Sequence, residues 1–126
     1  MTPSELAQEA GSLVGLLIRL LVTTLAVLVA SYVLAPDYFA VPDLPTAIIF
    51  AVVLGLLNAI VRPILAIITF PLTILTLGLF LIVLNALMFY LAAVFVPGVH
   101  VAGFVGAFLG ALITTVVSAI VSHFIR

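Results

Sequence analysis

From Leu44 to Val99 the chain runs for 56 residues with one charge in it, Arg62. A helix that crosses a bilayer needs about 20 apolar residues. The run is therefore too long for one crossing and right for two joined by a turn. The rest of the chain has the same character, being 67% hydrophobic and 6% charged with a mean hydropathy of +1.65. An average soluble domain is near half apolar and a quarter charged, so a water-soluble fold of 126 residues could not cover this surface. The expectation is an all-α integral membrane protein forming a single membrane domain over residues 1–126. With no lysine and a net charge of −1 there is no basic patch for nucleic acid. With no cysteine, disulfide and thiol chemistry are excluded.

The start, "MTPSELAQEAGSL", is acidic and lacks the basic leader of a cleaved signal peptide, and none is expected. Thr2, Pro3 and Glu5 fit an N-cap, a first helical residue and the third position of a capping box. Spans are predicted at about 13–35, 46–69, 74–96 and 103–125. An exposed loop at 36–45, rich in Pro and Asp, separates the first two, and "PGVH" at 97–100 precedes the last. Between the middle two the predicted turn is "TFPLT", 69–73, because Pro71 cannot continue a helix ladder. Whether 64–77 is a tight turn or a re-entrant segment is left open by the pattern. Four spans put Arg19, Arg62 and Arg126 toward one face and Asp37, Asp43 and His100 toward the other. The positive-inside rule then orients both termini to the cytoplasm.

At an offset of 60 residues, Val41, Ala47, Ala51, Ala59, Ile60 and Val61 match Val101, Ala107, Ala111, Ala119, Ile120 and Val121. The match suggests a duplicated two-helix hairpin in parallel orientation.

Inside the bilayer few residues are polar. Counted from Pro71, Asn58 and Asn85 lie at matching depth on antiparallel helices. They are candidates for an interhelical polar clamp, or for the lining of a pore or cavity. Arg62 lies nearer the membrane rim and can snorkel toward it. It reads as a topology anchor, as a contact to a lipid phosphate, or as part of an ion or substrate site. Pro63 removes a hydrogen bond to the carbonyl of Ala59 and should kink the second span. That carbonyl and the hydroxyls of Thr69, Thr73 and Thr76 are candidate partners for the guanidinium. Gly106 and Gly110, and more weakly Gly11 and Gly15, have the small-xxx-small spacing of helix packing.

Catalytic constellations are missing. The four carboxylates, Glu5, Glu9, Asp37 and Asp43, fall outside the predicted membrane core. His100 and His123 are expected on opposite faces, so neither a metal site nor a proton relay is expected, and neither is a cofactor or an enzyme activity.

Asn58, Arg62-Pro63, "PLTILTLGLF" at 71–80, Asn85-Ala86 and Pro97-Gly98 resemble the hallmarks of the four-transmembrane phage holin family, superfamily IV, of mycobacterial type. The resemblance implies four spans in the bacterial cytoplasmic membrane. It implies little about activity, since the family name is a classification by similarity. Many holins end in a charged tail, and this sequence stops at Arg126, which speaks against hole formation. So does the want of a polar stripe long enough to line a pore. Three functions compete: a structural or accessory envelope protein, a holin-type pore former that releases an endolysin, and a small transporter or lipid-binding protein. The partners expected are the lipid bilayer and either further copies of the chain or other membrane proteins.

Overall fold

The computed structural model describes residues 2–125. It begins with a capping box: the Thr2 hydroxyl accepts from the Glu5 backbone, and the Glu5 carboxylate accepts from the Thr2 backbone at 2.8 Å. With Pro3 in the first turn this launches α1, Pro3–Leu34. At 1.5 Å per residue its 32 residues run about 48 Å. After a loop that includes β1, Phe39–Ala40, the second helix α2 occupies Leu44–Ile68. Its N-cap is Asp43, which accepts from Thr46. Those hydrogen bonds, side chain first and then backbone, hold the Asp43 carboxyl below its ordinary range. The cap is therefore kept above that range and weakens as acid protonates it.

A short helix α3, Phe70–Leu75, follows, then α4, Phe80–Phe95, β2, His100–Val101, and α5, Gly103–Ile125. α1, α2 and α5 are long and apolar enough to cross a membrane, whereas α4 is a shorter apolar helix.

The third span thus begins later than the predicted 74–96, and the predicted turn at Pro71 is corrected. Pro71 sits in the first turn of α3, where a missing N–H costs nothing. The chain reverses farther on, at Leu77 and Gly78, with φ of +58° and +90°. There the Leu77 N–H bonds the Ile74 carbonyl and the Gly78 N–H bonds the Thr73 carbonyl. This is a Schellman closure, with the unusual feature of leucine in the left-handed position. The Thr76 hydroxyl then accepts from Phe80. A turn that satisfies its own backbone suits a place where water is scarce. The expected start of the second span at 46 also moves, because Pro45 falls inside the first turn of α2.

α1, α2, α4 and α5 form a ring in which α1 touches α2 and α5, and α4 touches the same two. The two long loops meet at one end, where β1 and β2 pair antiparallel, Phe39 with Val101 and Ala40 with His100. The Ala102 N–H donates to the Tyr38 carbonyl at 2.8 Å, and Val41 donates to the buried hydroxyl of Ser31. The sequence offered no sign of this strand pair. At this end Phe39, Phe50 and Phe89 pack ring to ring, with centroids 4.8–5.6 Å apart. Gly110 on α5 makes room for Phe89: a Cβ there would lie 2.5 Å from the ring. Gly106 serves a different neighbour than a packing helix, the backbone carbonyl of Tyr38. A Cβ at Gly11 or Gly15 would meet nothing within 4 Å, so neither marks a close helix approach. The start of α1, the end of α5 and the α3 turn lie at the opposite end.

Candidate functional site

Polar side chains collect inside the half of the bundle away from the strand pair. Each helix contributes one residue to a layer: Thr23 from α1, Asn58 from α2, Asn85 from α4 and Ser118 from α5, all lining cavity space. One turn nearer the termini the corresponding positions are Arg19, Arg62, Leu81 and Ser122. One turn deeper the floor includes Leu54, Phe89 and Thr114. The space divides into a cavity of about 510 Å³ holding Arg62 and Asn85 and one of about 440 Å³ holding Arg19 and Ser122. Thr23, Asn58 and Ser118 border both, so the two are adjoining lobes of one vestibule. Phe89, from the aromatic cluster, lines it on the side of the strand pair.

The spacing explains the clustering. Arg19 and Thr23, Asn58 and Arg62, and Thr114, Ser118 and Ser122 recur every four residues, which keeps each set on one helix face. In lipid a hydroxyl or amide gains by turning inward to other polar groups. The sequence reading named Arg62, Asn58 and Asn85, and the fold brings all three to one cavity. It read Arg19 for its charge alone and did not single out Thr23 or the short polar run of α5, Thr114, Ser118 and Ser122. The four-residue recurrence was the available signal.

The clamp differs in detail from a direct pairing of the two amides. The Asn85 amide nitrogen donates to the Thr115 hydroxyl at 3.2 Å, which ties α4 to α5. The Asn58 Oδ1 is buried and unbonded, as is the Thr114 hydroxyl oxygen. A double-mutant cycle on Asn85→Ala and Thr115→Ala in detergent micelles should give a coupling of about 0.6 kcal/mol, the usual worth of an interhelical hydrogen bond in a membrane. Zero coupling would remove the tie.

Arg62 has none of the hydroxyl partners suggested by the sequence. Thr69, Thr73 and Thr76 donate instead to carbonyls one turn back, those of Leu65, Thr69 and Leu72. Arg62 is half-buried and lines the vestibule. Among the described residues no carboxylate lines either lobe. Arg126, expected at this same end, lies outside the described residues.

A family model described as "Mycobacterial 4 TMS phage holin, superfamily IV" matches residues 14–120. The chain belongs to this family. The holin-family match covers every residue lining the vestibule except Ser122 and Ile125. Its four spans agree with counting the 16-residue α4 as a crossing beside α1, α2 and α5 in a multi-pass membrane protein. Over 48 residues the chain is 56% identical to the uncharacterized protein SCO3922 of Streptomyces coelicolor, covering 38% of each. Over 57 residues it is 40% identical to the uncharacterized membrane protein YvlD of Bacillus subtilis, covering 45% of this chain and 48% of that one. The matched segments thus span less than half of these relatives. No solved structure matches the chain.

Proposed function

We propose that this holin-family protein is a non-catalytic structural or accessory component of the bacterial cytoplasmic membrane, and that it does not form a lytic pore. The observation that carries this reading is the aromatic closure by Phe39, Phe50 and Phe89, all buried, which ends the vestibule partway through the bundle. A pore between copies would instead need a polar outer face. Here the intramembrane amides and arginines line the interior, and the outer surface is made of residues such as Leu25, Ile49, Leu56 and Val116. Both termini lie in the cytoplasm in this reading, because Arg19 and Arg62 belong to the termini end and Asp37 and Asp43 to the other.

One experiment addresses both parts. The chain is induced in a bacterial host with a fluorescent reporter at its C-terminus that matures only in the cytoplasm, beside a cytoplasmic endolysin. The expected result is a fluorescent membrane, an unchanged membrane potential and no lysis. Collapse of the potential with lysis makes the protein a pore former, and a dark reporter reverses the orientation.

The same reading takes the bundle as a duplicated hairpin. Sixty residues after Ala47, Phe50, Ala51 and Leu54, the buried positions of α2, stand Ala107, Gly110, Ala111 and Thr114, all buried on α5. Sixty-two residues after the six buried positions of α1, Val22 to Ser31, stand the six of α4, Leu84 to Ala93. The pairing of Ala40 with His100, themselves sixty apart, is the register a two-fold axis requires. Pro63, which cannot bond Ala59, supports a kink in α2. An experimental structure in which residues 22–62 fail to superpose on 84–122 would refute the duplication.

A further inference from the structure

The vestibule combines three features that a purely structural core does not need. The first is positive charge. Arg19 and Arg62 line its two lobes, on neighbouring helices, and a guanidinium stays charged in proteins. An arginine within a membrane bundle needs anionic or carbonyl company. The described carboxylates are elsewhere, Asp37 and Asp43 at the far end and Glu5 and Glu9 in the first turns of the exposed start of α1.

The second is unspent hydrogen-bonding capacity. Thr114 is 6% exposed, and its hydroxyl oxygen has no partner at the cavity floor. One turn above on the facing wall, Asn58 Oδ1 is also buried without a partner. An amide oxygen only accepts, so its partner must be a donor. An unsatisfied buried polar group is disfavoured by about 1–3 kcal/mol, and two of them in one cavity with open volume point to a bound group.

The third is a mixed lining. Besides Arg62, the larger lobe is bordered by Leu81, Ile82 and Leu112, each 43–48% exposed. The lining of the lobe thus joins cationic and polar groups to partly exposed apolar side chains on α4 and α5.

We propose that the vestibule binds a phosphate ester that also carries free hydroxyls, presented by an anionic phospholipid whose headgroup enters the cavity. Arg62, with Arg19, takes the phosphate through charge-assisted hydrogen bonds. Asn58 Oδ1 and the Thr114 hydroxyl take the headgroup hydroxyls. An acyl chain leaves along Leu81, Ile82 and Leu112. The phosphate chemistry alone is also met by a soluble phosphate, but that ligand leaves the apolar wall unused.

The test is native mass spectrometry of the detergent-solubilised full chain, titrated with phosphatidylglycerol, with phosphatidylcholine, and with inorganic phosphate. The expected result is one phosphatidylglycerol per chain, bound about tenfold more tightly than phosphatidylcholine. Arg62→Leu abolishes the preference and Arg62→Lys keeps part of it. Asn58→Leu weakens phosphatidylglycerol but leaves phosphatidylcholine, whose headgroup has no hydroxyl, unchanged. If Arg62→Leu fails to fold, the Lys and Asn58 variants decide. Equal binding of the two lipids, or full preference in Arg62→Lys and Asn58→Leu alike, overturns the proposal. Binding of inorganic phosphate with the same Arg62 dependence and no lipid preference overturns the lipid as source and supports the phosphate site. Membrane potential is not read here, so failure of this proposal is separate from failure of the non-pore reading.

Discussion

Gly106→Ala should destabilise the bundle by about 2–4 kcal/mol, combining overpacking at roughly 1–3 kcal/mol with the loss of a net hydrogen bond near 1 kcal/mol. The added methyl would run into the carbonyl of Tyr38. Backbone cannot swing aside as a side chain does, so the loop itself must move. That carbonyl accepts the Ala102 N–H, and the next residue, Phe39, is fully buried against Phe50 and Phe89. Moving Tyr38 therefore disturbs the strand pair and the aromatic cluster together. The effect should appear in reversible unfolding in mixed micelles. Gly55→Ala is the control: a Cβ there meets nothing within 4 Å, and its stability should stay within about 0.5 kcal/mol of the parent. If the two variants unfold alike, the close approach at Gly106 is unimportant.

Phe89→Ala should have two consequences with separate readouts. Its ring is 1% exposed and lies 4.8 Å and 4.9 Å from those of Phe39 and Phe50. In water such a truncation costs about 3–5 kcal/mol. In a bilayer the transfer part largely drops out, since lipid is as apolar as the core. The remaining cavity part, at about 24 cal/mol per Å³ over roughly 100 Å³, is near 2 kcal/mol. Phe89 is also a wall of the vestibule, one turn beyond Asn85. Its loss extends that space toward the strand-pair end, and Phe50→Ala added to it extends the space further. Liposomes carrying the double variant should leak small ions where the parent does not. A tight double variant with parental stability would mean the aromatic cluster neither closes the bundle nor holds it together.

Much of the architecture was legible because hydrocarbon imposes simple demands. Runs of apolar residues gave the crossings, Thr2 and Glu5 gave the helix start, and the loop at 36–45 declared itself through Pro and Asp. The reversal was not legible. Proline attracts attention as a helix breaker, but Pro71 occupies the one part of a helix that tolerates it. The residue that turns the chain is Leu77, whose side chain carries no hint of a left-handed backbone. Depths counted from the wrong turn still placed Asn58 and Asn85 in one cavity. That outcome owes less to the count than to the tendency of intramembrane amides to turn inward. Arg19 was read only for its charge, because its place in the vestibule depends on how α1 rotates against α5, and rotation is set by packing.

The brevity of α4 makes the molecule lopsided toward its solvent. Sixteen residues reach about 24 Å, against a hydrocarbon layer near 30 Å. The neighbouring helices α2 and α5, of 25 and 23 residues, meet or exceed that thickness. On the α4 flank the lipid therefore meets the apolar knuckle of α3 and the turn, with Leu75 and Leu77 almost wholly exposed. Where that knuckle does not fill the missing length, acyl chains on this flank would have to shorten while those against α1 need not, thinning the bilayer on one side only. Such a dent is shared, and therefore reduced, when two short flanks come together. Hydrophobic mismatch would thus give two copies of this chain a preferred side for association, one that depends on membrane thickness and not on any specific contact between them.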